Sequence, residues 1–465
     1  MRASTKQTAF LGGLFASFMF LQLTVLGLGN RAGTGYLPAQ QREWVYYVIQ
    51  VFVILGFLCY AAVRRLIHRR SFCRGVTIGA LAAFFAGATI LLTAKGSLFQ
   101  VAVTFATVFF LGYLGGTVYE RMSLATASGV KSAVSMGAGC AAAIALQFVL
   151  QFQWGVTPLL PVFMLGAFGL LTFLLLRGPE PAAAMNTAIK PERVPAGRLG
   201  FTCLIAAVLL LFTAFYNGYI HHLQVNSGYT DYNVYTWPRL MLIPGYLFFA
   251  VIGNRKQGRL VPMAALCITL IALLNTALVG SAGTYRLNMC LFYIALSGAV
   301  SYYNLSFWRL AQGTKHPVLW ASMGRMLDSA VVLLTGVLHL PSLPAAAVLA
   351  IDIGGLIAVI LLFASGIQRT GPIPVLAVAG DGFPSEAIPT EDVFSALQAR
   401  YNLTQRETEV LRELVLTEDK QTVISERLSI KVNTLQGYVT RIYRKTGTTT
   451  RAGLTDLYHY TLRER

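Results

Sequence analysis

Charge is what this sequence has least of. Only 12% of its 465 residues are Asp, Glu, Lys or Arg, about half the roughly 25% usual in soluble domains. Acids are the scarcer sign, 19 against 37 Lys and Arg, for a formal net charge of +18. So sparse a charge excludes a soluble globular enzyme, a disordered chain and a fibrous protein. The six cysteines (Cys59, Cys73, Cys140, Cys203, Cys267 and Cys290) show no paired metal spacing, and five lie inside apolar runs. They imply neither a disulfide framework nor a zinc site. No Gly-rich phosphate loop is present, so nothing supports ATP-driven switching. Nor is there a nucleophile–base arrangement, a metal triad or a cofactor loop, so the expectation is a non-enzyme without cofactor.

What is present is apolar. Hydrophobic types make up 55% of the chain, with a mean hydropathy of +0.60, which leaves an integral membrane protein. The charges are unevenly placed. Residues 1–390 hold 25 basic and 9 acidic residues, whereas residues 391–465 hold 12 and 10, packing 22 charges into 75 positions. The chain is a greasy body joined to a charge-dense tail. Its first apolar run, after Lys6, continues without a small-residue cleavage site, so it reads as a retained helix rather than a signal peptide.

A spanning helix needs about 20 mainly apolar residues. Twelve runs qualify: 9–28, 44–63, 75–94, 97–119, 130–151, 156–176, 199–219, 236–253, 260–280, 287–308, 318–340 and 343–366. With the N-terminus inside, 19 of the 25 Lys and Arg of the body fall in inside segments. Outside segments keep only Arg31, Arg42, Lys95 and Arg286. The positive-inside rule therefore places both ends in the cytoplasm, with the body in the cell membrane as a multi-pass protein.

The spans divide into halves, 1–177 and 199–366, around a polar stretch, RGPEPAAAMNTAIKPER. Two six-helix halves with a central cytoplasmic loop resemble the major facilitator architecture. Residues 253–259, GNRKQGR, are similar to that family's basic turn, with Asn in place of the acid and one extra residue. Positive-inside anchoring explains the same basic residues equally well.

Ionisable groups within a bilayer are costly and face a bundle interior or a cavity. Arg325 and Asp328 sit at i, i+3 in the eleventh run, and Asp352 lies in the twelfth. At about 1.5 Å per residue, both acids reach roughly 13–15 Å deep, near the midplane. The three form either an ion triad that fixes packing or an intramembrane ligand or switch site. Glu120 and Arg121 end the fourth run, at the interface. Residues 215–237 gather aromatics and the His221–His222 pair, either an interfacial belt or the mouth of a pocket.

Residues 367–389 read as a tether with Gly and Pro, and residues 390–465 as a separate helical domain. Thr390 opens a helix to about Tyr401, and Thr404-Gln-Arg-Glu407 is a capping box for a second, to about Leu416. A third helix covers about 420–428. After a tight turn at 429–431, a fourth covers about 432–446, with Leu435, Val439 and Ile442 as its inward stripe. A last helix is expected over about 450–462. Short helices joined by a tight turn are helix-turn-helix geometry.

Leu403-Thr-Gln-Arg-Glu-Thr-Glu-Val-Leu411, Ile424, Leu428, Asn433-Thr-Leu435, Ile442-Tyr-Arg-Lys445, Gly447 and Arg451-Ala452 resemble the LuxR-type DNA-binding domain over about residues 395–462. The resemblance implies that the fourth helix is the recognition helix and that the last serves dimerisation. By position it implies that Thr434 binds phosphate, that Gln436, Gly437 and Thr440 face base edges, and that Arg441, Arg444 and Lys445 lie near the backbone. Periodicity groups 433, 436, 437, 440 and 444 opposite the apolar stripe, which adds Asn433 to the set. Departures from the family pattern are Gln436 for Lys, Tyr438 for His, Ser425 for Ala, Lys431 for the turn Ser and Thr446 for a core Leu.

The fold expected is all-α: a polytopic bundle of about twelve spans, six and six, followed by a small four- to five-helix LuxR-type domain. The function expected is a membrane-embedded transcriptional regulator. Its body would sense an unidentified small molecule, and its tail would bind promoter DNA, as a homodimer when engaged. The alternative is a secondary transporter of the major facilitator type with a regulatory tail.

Overall fold

The structure is a computed structural model. It describes residues 2–32, 39–67, 70–93, 97–127, 130–153, 158–177, 194, 196–226, 237–258, 260–276, 282–338, 344–370, 390–416, 421–448 and, beyond these, 450, 451, 453, 454, 457, 458 and 461. The chain divides into two compact units, Met1–Gly380 and Asp381–Arg465. Among the described residues every regular element is a helix.

The first unit opens with α1 (Arg2–Ala32), α2 (Ala39–Leu66), α3 (Arg70–Thr93), α4 (Leu98–Ala127), α5 (Ser132–Gln147) and α6 (Leu160–Arg177). It continues with α7 (Ala196–Asn226), α8 (Leu242–Asn254), α9 (Val261–Thr276), α10 (Ala282–Ala311), α11 (Pro317–Val337) and α12 (Ala345–Thr370). Nine of the described helices are long and apolar enough to cross a membrane, against the expected twelve. Of the other three, one is shortened by a local feature. A 3-10 turn, Trp237–Met241, takes up the start of the run at 236–253 and leaves α8 with 13 residues. Among the described residues, the apolar stretches of α9 and α12 cover Val261–Asn275 and Leu349–Ala358.

In hydrocarbon a backbone must satisfy itself, which only helices do segment by segment. The polar side chains within these runs follow the same rule. Thr77, Thr104, Thr107, Thr126 and Thr269 each donate to the carbonyl four residues earlier in their own helix. Small residues then let helices approach. A Cβ on Gly56 of α2 would come within 2.8 Å of the Gly112 Cα of α4, the close backbone contact that packs helices in lipid.

The halves meet chiefly along two seams, α2 against α11 and α5 against α8. Each uses a glycine. Gly137 of α5 backs onto the Tyr246 carbonyl of α8, where a Cβ would sit 2.7 Å away, and Gly336 of α11 lies against the Tyr47 ring of α2. The expected fifth run ends differently from a plain α-helix: after Gln147 the chain makes a π-helical turn, Phe148–Gln153.

The second unit holds α13 (Thr390–Tyr401), α14 (Gln405–Leu416), α15 (Gln421–Arg427) and α16 (Val432–Thr446). Their starts fall within about a residue of those expected. Phe394, Leu397, Leu411, Leu414, Ile424, Leu435, Val439, Ile442, Leu454 and Tyr458 form one buried core. The capping box is reciprocal: the Thr404 N–H donates to Glu407 at 2.8 Å, and the Glu407 N–H to Thr404 Oγ1 at 3.3 Å. Ser429, at φ +54°, makes the tight turn between α15 and α16. Gly447 ends α16 in the left-handed conformation that suits glycine. Only scattered residues of the expected last helix are described, and the linker from 371 to 389 lies outside the described residues.

Candidate functional sites

In the body, the expected charges are brought together in part. Arg325 and Asp328, one turn apart on α11, form an ion pair, and both side chains are largely buried. The Arg325 guanidinium has a second partner that a search for ionisable groups passes over. With its amide oxygen turned inward, Gln22 of α1 accepts from Nε and Nη2 at 3.0 Å each. The Asp352 side chain lies outside the described residues, so the triad is described only as this pair.

Gln22 belongs to a set. Gln50 of α2 accepts from Ser329 of α11 at 2.9 Å, and Gln147 of α5 accepts from Arg239 at 3.1 Å. Three glutamines of the first half thus contact polar groups of the second. An amide costs less to bury than a charge and both donates and accepts, so it suits a polar seam in hydrocarbon. The sequence signal for Gln22 and Gln50 was a lone Gln inside a long apolar run, and for Gln147 a Gln one turn before Gln151.

The same interior holds unsatisfied groups. Ser301 Oγ, Asn304 Oδ1 and Trp308 Nε1 on α10 and Ser322 Oγ on α11 are buried without a hydrogen-bond partner among the described residues. The Trp308 ring meets Phe15 and Tyr119 edge-on, each with centroids 5.6 Å apart. Its carbonyl accepts from Ser123 of α4 at 2.8 Å, and Gln312 donates to the same hydroxyl at 3.0 Å. One residue therefore joins the unsatisfied interior to a hydrogen-bonded contact between the halves.

Glu120 and Arg121 do not end their helix, since α4 continues to Ala127. Glu120 is buried, accepting from the Tyr60 hydroxyl and from Arg64 at 2.9 Å. Arg121 caps α6, donating to the Leu174 and Leu175 carbonyls at 2.7 and 2.6 Å. In the basic turn expected at 253–259, Arg255–Gly258 forms a 3-10 segment, and Arg309 donates to the Gly253 carbonyl at 2.9 Å. Of the aromatic stretch, side chains 215–236, including the His221–His222 pair, lie outside the described residues. Trp237 is half exposed.

In the tail, α16 buries Leu435, Val439, Ile442 and Thr446. Its opposite face is open. Asn433, Thr434, Gln436, Gly437, Thr440, Arg441 and Arg444 are all exposed. Lys431 stands at the N-cap without a side-chain cap, as the missing Ser implies, so α16 starts with unsatisfied N–H groups. Thr440 turns its hydroxyl back onto the Gln436 carbonyl at 2.9 Å. Thr446 does the same to Ile442 at 2.8 Å, which is how a hydroxyl is accommodated at a core position.

Lys445 is the exception on this helix. It is half-buried, and its ammonium donates to the Asn402 carbonyl at 2.9 Å and to Glu407 at 2.7 Å. Glu407 is 3% exposed. Burial pushes its carboxyl up, but Lys445 and the Thr404 N–H and hydroxyl outweigh this and leave it below the usual carboxylate range. Lys445 therefore joins α16 to α14 within the domain. Arg441 also approaches Glu407, Nε to Oε1 at 3.6 Å, and lies over the Tyr438 ring.

Residues 401–458 match the family described as bacterial regulatory proteins, luxR family. The tail is a LuxR-type helix-turn-helix domain. The match spans the capping box, the turn at Ser429 and the open face of α16. The body is similar to solved transporter structures. A human organic anion transporter, MFSD10 (TETRAN), aligns at TM-score 0.50 and 15% identity, over 77% of this chain and 98% of its own. A bacterial homologue of the iron transporter ferroportin, in an outward-facing state, aligns at TM-score 0.51 and 13% identity, over 79% and 100%. At such identities the likeness is one of fold: a major facilitator-like helical body carries the LuxR-type domain. No curated protein matches the chain.

Proposed function

We propose that this protein is a membrane-embedded transcriptional regulator. Its body senses a small molecule in the cell membrane, and its LuxR-type domain binds promoter DNA from the cytoplasm, as a dimer. The observation that carries this reading is the open face of α16, where seven of the eight residues expected to meet DNA are exposed together. Phosphate contacts supply affinity and base contacts supply specificity. Asn433, Thr434 and Arg444 are offered for the first task and Gln436 for the second. A tail anchored to the body brings its DNA to the bilayer.

The sensing side rests on the interior around Arg325. A buried donor or acceptor without a partner costs about 1–3 kcal/mol. The atoms left so on Ser301, Asn304, Trp308 and Ser322 are groups that a polar ligand satisfies. Chromatin immunoprecipitation of the tagged full-length protein tests the reading, run beside a Thr434→Ala, Gln436→Ala double variant. Enrichment at a few promoters, lost in the variant, supports it. Promoter output that persists in the double variant would sink the DNA-reading assignment.

A second reading is a secondary transporter with a regulatory tail. The fold of the body favours it, and Arg325 and Asp328 are its available coupling charges. Uptake or efflux of a substrate that is unchanged when the tail is deleted, with no promoter enrichment, would favour it over the first.

A further inference from the structure

We propose that Arg441 is a base-reading residue, its guanidinium held by Glu407 and Tyr438 to meet the O6 and N7 edge of a guanine, and not a contact to the sugar–phosphate backbone. This rests on the reading of the tail as a DNA-binding domain.

A phosphate contact needs only positive charge, which a mobile side chain supplies. Reading guanine needs the planar fork presented in one orientation. Two contacts orient the fork of Arg441. Its Cζ lies 4.6 Å from the Tyr438 ring centroid, which fixes the guanidinium plane. Its Nε faces Glu407 Oε1 at 3.6 Å, which fixes rotation within that plane. Glu407 is a rigid anchor, because the Thr404 N–H and the Lys445 ammonium hold it. These contacts use the face and the Nε of Arg441. Its two terminal nitrogens make no hydrogen bond among the described residues, and its side chain is 49% exposed.

The direction is also favourable. Helix side chains lean toward the N-terminus, and the Arg441 guanidinium does so, lying over Tyr438, three residues earlier. A Cβ at Gly437 would meet nothing within 4 Å, so the N-terminal half of this face is open. That N-terminal half is the part of a recognition helix that contacts base edges. Arg444 supplies the contrast. It is exposed on the same face and has neither a ring nor a carboxylate holding it among the described residues, so it is a backbone contact.

The test is selection of binding sites from random duplexes by the full-length protein in lipid nanodiscs. Titration of the best site and its single-base variants follows. The wild type should prefer guanine at one position of each half-site by about 10- to 100-fold. Arg441→Lys keeps the charge and should lose that preference alone, and Tyr438→Leu should weaken it at the same position. Arg444→Ala should lower affinity for all sequences alike. Protease protection of the tail checks that each variant is folded, with Arg441→Gln as the substitute if the lysine variant is not. The inference is overturned if Arg441→Lys keeps every base preference. It is equally overturned if Arg441→Gln weakens all sequences evenly and flattens the salt dependence by about one phosphate contact. A wild type that selects no sequence at all overturns the DNA-binding reading itself.

Discussion

The Arg325–Asp328 pair of the body and the Lys445–Glu407 pair of the tail are the same chemistry in two solvents. In the body, both charges sit on one helix within an apolar bundle, and an uncharged amide, Gln22, completes the shell of the arginine. In the tail, the acid alone is buried, and its lysine stays half open to water. The body therefore tolerates few charges and pairs them within the interior. The tail carries many and sends most of them outward. The difference teaches where a single substitution does harm: loss of one partner strands a charge, and the cost follows the solvent around the other.

The largest effect should come from splitting the body pair. Arg325→Met or Asp328→Leu alone leaves an uncompensated charge and should destabilise the body by about 3–5 kcal/mol. The double variant should recover much of that loss. Thermal unfolding in detergent, followed by size-exclusion chromatography, reads both. A double variant no better than either single one would show that the pair holds more than its own charges. If the interior is also the switch, Asp328→Asn shifts the dose–response of promoter output. An unchanged response at equal expression leaves the pair as a packing element.

Packing between α2 and α4 comes next. Gly56→Leu should cost about 1–3 kcal/mol by overpacking, because a side chain there meets the backbone of α4. Gly75→Leu, with nothing within 4 Å, is the matched control and should be near neutral.

In the tail, Lys445→Ala should cost about 1–3 kcal/mol, since it strips a partner from a buried acceptor. Arg444→Ala should leave folding nearly unchanged. Protease protection of the tail in the full chain separates the two. Equal losses would break the contrast between the paired and the free cation.

The smallest effect is the pH dependence of the same pair. The carboxyl of Glu407 is held below its unfolded value of about 4.3 by Lys445 and Thr404. Its contribution is fully present above that value and disappears as pH falls through the lower, folded one. The tail should therefore lose protection in acid, and Glu407→Gln should flatten that part of the profile. A profile identical to the wild type would assign the acid sensitivity to other carboxylates.

Much of this was legible in advance where local rules decide. Thr404 and Glu407 form a capping box at a spacing any helix start imposes, and the Leu435–Val439–Ile442 stripe put the residues expected to meet DNA on the opposite face. The twelve apolar runs correspond to helices, but run length overstated the one at 236–253. Pro238 and Arg239 sit in a 3-10 turn, and α8 is shortened by it. Placement at the end of a run misjudged Glu120, because α4 extends far enough to bury it against Tyr60 and Arg64.

Composition, periodicity and capping spacing by themselves determined a greasy helical body, a charge-dense tail and the exposed face of one helix, because these depend on solvent preference and helical repeat. Only tertiary structure decided which charges are free. Lys445 and Arg444 are neighbours in sequence with the same charge, yet one is bound to a buried Glu407 from another helix and the other is open. Gln22 looked inert until α1 met α11. Partner choice across long separations depends on which helices pack together, and no local pattern encodes that.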